Sequence, residues 1–312
     1  MVYDYIDKYS NWGRWGDDDQ LGALNLVGPQ EIVVAAGLVR QGKVISLTLP
    51  YDLKGPQTGA FRPNPHNMMT ATGTDYLAGA QDPLPGRWGA AKGFGYADDI
   101  VILPNQAGTQ WDGLAHIFWQ GKMWNGHDAG HVTANGAARC GVEHWRERFV
   151  MRGVLLDVAR HKGLDALEPG YAITSDDLDE TAARQRVEVR RGDALIIRTG
   201  QLEERRGRWG DYSGGPAPGL SLHTAPWLAE HEVAALATDT WGCEVRPNEV
   251  DVFQPLHIVA FVHMGIPFGE IFDLERLGQD CAEDGVYEFF LNAPILPITG
   301  AAGSPVNALA VK

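Results

Sequence analysis

This sequence has few cysteines, no long apolar run and fewer basic than acidic side chains. Only Cys140, Cys243 and Cys281 occur in 312 residues, far apart and without a CxxC pair. An odd, scattered set of thiols argues against a disulfide framework and against a thiolate zinc site. No apolar stretch approaches the roughly 20 residues that a membrane span requires. The start, "MVYDYIDKYSNWGRWGDDD", has no basic segment leading into an apolar one, so no signal peptide is expected. The expectation is a cytoplasmic protein. Acidic residues outnumber basic ones 40 to 26, for a formal charge of −14. Such a surface repels phosphate backbones and anionic lipid, so neither a nucleic-acid nor a membrane partner is expected. The densest cationic stretches, "EVRRGD" at 188–193 and "EERRGRWGD" at 203–211, are diluted by carboxylates.

Two common site types are missing as well. "GFGYAD" (93–98) lacks the GxGxxG order of a dinucleotide loop, and "YSGGPAPG" does not contain the GxSxG of a nucleophile elbow. There is no internal repeat and no low-complexity linker.

What is present is a chain able to bury a large core, with 44% hydrophobic and 21% charged residues. "PQEIVVAAGLVRQG" (29–42) reads as a helix opened by Pro29, and "KVISLTLP" as a short strand after it. Residues 51–97 are rich in Gly, Pro and Asn and predict a long irregular excursion. Such a loop is more often functional than idle. Strand-length apolar runs follow: "IVILP" (100–104), "GVLLDVA" (153–159), "ALIIRTG" (194–200), "AALATD" (234–239) and "YEFFLNA" (287–293). Helical segments lie among them at 175–185, with Ser175 placed to cap it, at 224–232 and at 273–283. Strands mixed with helices throughout predict an α/β or α+β fold, here taken as 1–312 in a single domain, with its site on loops at strand ends.

The chemistry concentrates in two places. In "NQAGTQWDGLAH", Gln110 and Asp112 are two apart and face the same way on an extended chain. Gly108 would let the backbone approach a ligand closely. Carboxylate, amide oxygen and imidazole are all donors to a divalent cation, the amide being the weakest. In "PLHIVAFVHMGIPFGEIFDLE" (255–275), His257, His263 and Glu270 stand out in an apolar setting. His263 reads as structural. His257 falls on an apparent buried helix, and Glu270 suits either an arginine partner or the N-terminal end of the last helix. His127 and His131 in "NGHDAGH" read as loop because Gly126 and Gly130 flank them. His66 and the aromatics Trp111, Phe118, Trp119 and Trp124 are candidate substrate walls or core fillers.

These segments resemble the cyclase family of bacterial kynurenine formamidases and isatin hydrolase. Its signature, His-x-Gly-Thr-His-x-Asp-x-x-x-His, reads here Gln106-Ala-Gly108-Thr109-Gln110-Trp-Asp112-Gly-Leu-Ala-His116, with His257 and Glu270 downstream. "RGVLLDVAR", "GDALIIRTG", "GEIFDLERL", "DGVYEFF" and the tail "GSPVNALAVK" resemble the larger, roughly 300-residue branch. The resemblance implies a swivelling β/β/α fold and hydrolysis of an amide, lactam or lactone bond of a small-molecule substrate. It implies a divalent metal, Mn²⁺ or Zn²⁺, held at positions matching Gln106, Gln110, Asp112, His257 and Glu270. His116 is the general base, with Asp112 and His257 beside it in catalysis. It also implies a homo-oligomer, and the apolar C-terminal tail would suit a subunit contact. Glutamine in place of both motif histidines weakens Zn²⁺ binding and favours harder ions. That leaves open an enzyme working without metal, a hydratase or dehydratase or a hydrolase using His116 and Asp112, and a non-catalytic binding protein.

Overall fold

The structure, a computed structural model, describes residues 1–81 and 93–312. The part of the 51–97 excursion from 82 to 92 lies outside the described residues. Nine strands form the main sheet: β1 (Val44–Ser46), β2 (Gln110–Asp112), β3 (Val150–Asp157), β4 (Ala194–Arg198), β5 (Ala235–Thr238), β6 (Phe268–Glu270), β7 (Glu288–Asn292), β8 (Gly303–Pro305) and β9 (Leu309–Val311). Their order is β1-β9-β7-β3-β4-β5-β6-β2-β8. From β3 to β6 the strands run parallel, and every pairing outside that block is antiparallel. The sheet curls into a half-barrel in a mixed α/β fold.

The apolar runs become strands because both faces of the parallel block are covered. β4, β5 and β6 are buried at every residue, and β3 at all but its first. A strand buried on both sides has no polar face, so its sequence is a continuous apolar run rather than an alternation. Crossover segments between parallel strands carry the helices, including Ser175–Gln185 between β3 and β4, Ala225–Glu230 between β4 and β5, and His257–His263 between β5 and β6.

Some boundaries differ from the sequence reading. The first predicted helix spans only Pro29–Ala36 and stops at Gly37. The helix at 175–185 is capped by Thr174, not Ser175: Thr174 Oγ1 accepts the Asp177 N–H at 3.2 Å while the Asp177 carboxylate accepts the Thr174 N–H at 3.0 Å. The excursion contains order of its own, with His66–Ala71 pairing antiparallel to Asp98–Ile102 and a short helix at Gly73–Leu77. The C-terminal tail supplies β8 and β9, and its Val306, Ala308 and Ala310 are buried in the chain's own core. All three cysteines are free and buried. No helix among the described residues is long and apolar enough to cross a membrane.

Residues 257–263 form a π-helix, with the Met264 N–H donating to the Val259 carbonyl at 3.0 Å. Its far end is clasped by the N-terminal segment. Trp12 stacks on His263 with centroids 4.4 Å apart, and the Trp12 indole donates to the Val262 carbonyl at 2.9 Å. His263 is buried, with neither ring nitrogen partnered among the described residues, and burial pushes its pKa down to about 4. The folded pKa lies below the unfolded one, so stability present above pH 6.5 is lost as pH falls towards 4. Urea unfolding should show about 3 kcal/mol of acid-dependent loss from this residue. His263→Phe, which keeps a ring against Trp12, should flatten the pH dependence by that amount. An unchanged slope would show that His263 is not the titrating group.

Candidate metal-binding active site

Strand β2 starts the site. Gln110 and Asp112 point to one side of the sheet and Trp111 to the other. Trp111 is fully buried there, stacked on Phe149 at 4.5 Å and edge-on to Phe272 at 5.1 Å, with its indole N–H donating to the Ala293 carbonyl at 3.0 Å. It is core, which corrects its reading as a substrate wall. Gly108 is also explained by packing rather than by ligand approach. A Cβ there would stand 2.7 Å from the Tyr51 ring, and the Tyr51 hydroxyl bridges Thr109 and the Val306 backbone. Thr109 Oγ1 donates to the Ile271 carbonyl at 2.6 Å and accepts the Leu49 N–H at 2.9 Å. The segment entering β2 is therefore held from below by neighbours remote in sequence.

Glu270 ends β6, directly opposite Gln110 in the antiparallel register. Gln110 Nε2 donates to Glu270 Oε2 at 2.8 Å. Among the described residues Glu270 thus has an amide partner from β2, not an arginine and not a helix end, which corrects both sequence readings.

His257 opens the π-helix and is 1% exposed. Glu244, 2% exposed, lies beneath it on the loop after β5. One oxygen, Glu244 Oε1, accepts from His257 Nδ1 at 2.5 Å and from the His257 backbone N–H at 2.9 Å. The other, Oε2, accepts the Leu256 N–H at 3.0 Å. Those backbone groups are unpaired donors at a helix start, which a carboxylate satisfies. The Nδ1 bond leaves Nε2 to face the site, 3.5 Å from Glu270 Oε1. Burial alone would lower the His257 pKa, but its bonds to Glu244 and Glu270 outweigh that and hold it at about 10.

Asp112 is 1% exposed, and His116, 23% exposed in its side chain, stands over it with Nε2 3.9 Å from Asp112 Oδ1. Burial raises the Asp112 pKa to about 6, opposed by His116 and reinforced by Glu270. Burial lowers the His116 pKa, with Asp112 opposing and the Arg62 and His257 charges adding to the fall. His116 is therefore held towards its neutral form, able to accept a proton.

The two distant segments do meet. Asp112, His257 and Glu270 each offer one ligand atom within 4.8 Å of the others. Two buried acceptors at this point, Gln110 Oε1 and Asp112 Oδ1, have no hydrogen-bond partner among the described residues. A buried oxygen left unpaired is costly, and a cation is the partner that satisfies two of them together. The residues fit a divalent ion. Gln106 sits to one side, half-buried, with its amide against Gly303 of β8, where a Cβ would come 2.4 Å from Gln106 Nε2.

The remaining candidates scatter. Trp124 is buried, and its indole donates to Asp19 Oδ2 at 3.1 Å, so it is packing rather than wall. His66 is exposed beside a surface cavity of about 280 Å³ lined by Tyr51, Lys54 and Asn67. Phe118 is exposed. His127 and His131 lie on short turns, as read from the glycines. Sequence reasoning missed Glu244, Arg62, Trp241 and Arg246. No local pattern marks a glutamate in "WGCEVRP" as buried under a histidine thirteen residues later.

A curled α/β sheet whose strand ends gather acids and an imidazole fit for a divalent ion defines the class of fold and site. The chain belongs to the Cyclase family, whose profile matches residues 45–245. A crystal structure described as a novel cyclase is 39% identical, covers 97% of this chain and 100% of its own, and superposes with a TM-score of 0.89. Isatin hydrolase A from Ralstonia solanacearum is 18% identical over 89% of this chain and 93% of its own, with a TM-score of 0.60. The predicted metal-dependent hydrolase from Bacillus stearothermophilus is 16% identical over 86% and 97%, with a TM-score of 0.53. At those lower identities the likeness is one of fold. No curated protein matches the chain.

Proposed function

We propose that this chain hydrolyses an amide, lactam or lactone bond of a small molecule, with His116 as general base and a divalent ion as cofactor. The observation that carries this reading is the pair of unpartnered buried acceptors, Gln110 Oε1 and Asp112 Oδ1, inside the Asp112, His257 and Glu270 cluster. An ion held by these three, with the Gln110 carbonyl oxygen, would polarise the scissile carbonyl and acidify a water. Two carboxylates, one imidazole and one amide oxygen make a hard donor set, which favours Mn²⁺ over Zn²⁺. Asp112 Oδ1 faces His116 Nε2 at 3.9 Å, beyond hydrogen-bond reach, so its charge favours the protonated imidazole while Nε2 stays free to accept a proton. His116 Nε2 takes a proton from water as its oxygen bonds to the carbonyl carbon. The same proton goes to the leaving nitrogen or oxygen as the old bond breaks. Glu244 orients His257 so that Nε2 faces the site, and an ion there would displace the proton that Glu244 and Glu270 hold on the imidazole in its absence.

A second reading rests on the bonds that already satisfy Glu270, from Gln110 Nε2 and towards His257 Nε2. There His116 and Asp112 act alone as an acid–base pair, in hydration, dehydration or hydrolysis. The two readings separate in one experiment on the purified protein, assayed against a panel of cyclic and acyl amides, lactones and enones. Chelation should abolish turnover and Mn²⁺ restore it, and His116→Ala should cost on the order of 10²–10⁴-fold. Turnover untouched by chelation, with elemental analysis finding no ion, would leave the metal-free reading standing.

A further inference from the structure

Beside the ion cluster lies a group of opposite character that the mechanism does not use. Trp241 and Arg246 flank Glu244 on the loop after β5. The Arg246 guanidinium stands 5.2 Å from the Trp241 ring centroid and 5.4 Å from that of Phe253. Arg62, from the excursion, reaches the same tryptophan at 5.8 Å, and its Nη1 donates to the Gln106 carbonyl at 3.4 Å. Two like charges therefore gather on one indole. Among the described residues neither guanidinium forms an ion pair, in a chain where acids outnumber bases 40 to 26. Arg246 Nη2 donates to the Gly214 carbonyl, but Nη1 is buried without a partner, and so is Trp241 Nε1.

Orphaned donors on one aromatic platform are the converse of the orphaned acceptors at Asp112 and Gln110. Acceptors left open suit a cation; donors left open, one of them charged, suit an oxyanion. The platform adjoins the reaction centre. Arg246 is two residues from Glu244, which bonds His257, and Arg62 bonds the Gln106 carbonyl four residues before Gln110. Cation–π contact holds the guanidiniums in place without consuming their N–H groups.

We propose that Arg246 and Trp241, with Arg62 facing them across the indole, form a subsite for a carboxylate that the substrate carries beside its scissile bond. This rests on the hydrolytic reading for its role, but not for its detection. A planar ring attached to that carboxylate would lie against Trp241 and Phe253. The substrate class is then an anionic amide, lactam or lactone rather than a neutral one.

Calorimetric titration with benzoate and with benzamide tests the subsite without turnover. Benzoate should bind the wild-type protein more tightly than benzamide, and Arg246→Gln should weaken benzoate by about tenfold or more while moving benzamide little. Arg246→Lys, which keeps the charge, should recover part of the loss, and Trp241→Phe, which removes one donor, should weaken benzoate on its own. Equal benzoate affinity in the wild type, Arg246→Gln and Trp241→Phe would overturn the proposal, and would place any carboxylate on the ion instead. If Arg246→Gln does not fold, Arg246→Lys and Trp241→Phe decide in its place. Benzoate selectivity without hydrolysis of any amide would leave the subsite standing and defeat the hydrolytic reading; hydrolysis without selectivity would do the reverse.

Discussion

Asp112→Asn should cut activity severely and, in protein stripped of ions, raise stability. The two effects have one cause. Asp112 is buried, one of its oxygens has no partner, and burial raises its pKa to about 6. A carboxyl whose pKa is higher folded than unfolded costs stability wherever it is ionised. The penalty is therefore absent at pH 3, grows as pH rises from about 4 to 6, and is complete at pH 7. Asparagine keeps the shape and removes the charge, which should add on the order of 2–3 kcal/mol at pH 7 and nothing at pH 3. The same change removes an anionic ligand and the group facing His116. Turnover should fall by about 10³-fold, and Mn²⁺ affinity by at least about 10²-fold. Urea unfolding at pH 3 and 7, with titration calorimetry for Mn²⁺, checks both. A variant less stable at pH 7 would mean that Asp112 is a structural residue already paid for by its neighbours.

Glu244 makes the opposite prediction. It accepts four hydrogen bonds, from Leu256 N–H, His257 N–H, His257 Nδ1 and Asn248 Nδ2, at a fully buried point. Glu244→Ala strands all four donors and opens a cavity, and removing one partner of a buried charged pair costs about 3–5 kcal/mol. Glu244→Gln keeps an acceptor and most of the volume, so its cost should be smaller. It no longer stabilises the imidazole by charge, which should weaken ion binding by about 10–100-fold. The expected signature is a variant that folds, with Mn²⁺ affinity reduced and regained only by the reversion to Glu. Unaltered affinity in Glu244→Gln would show that the π-helix orients His257 without help.

Several elements were legible because their cause is local. The strands β3, β4 and β5 stand where unbroken apolar runs predict them, since burial on both faces leaves no room for alternation. The helix at 175–185 was legible for the same kind of reason, although its cap is the preceding threonine. Trp111 is instructive. The rule that aligns Gln110 with Asp112 also turns the residue between them to the other face, so its place in the core was already implied by the spacing. Glu270 was harder, because an acid after an apolar strand looks the same whether it meets an arginine, a helix end or an amide. The partner is set by the antiparallel register of β6 on β2, a pairing across 160 positions.

The sequence by itself determined the family and the strand-rich α/β character, and it singled out Asp112, His116 and His257 as candidates, because motif spacing and apolar runs survive without knowledge of the fold. Only the tertiary structure decided that Glu270 answers Gln110, that Glu244 underlies His257, and that Arg62 and Arg246 share one indole. Each of those depends on segments brought together by the curl of the sheet. Whether a buried oxygen or N–H group is left without a partner depends on every neighbour at once, and no local pattern records it.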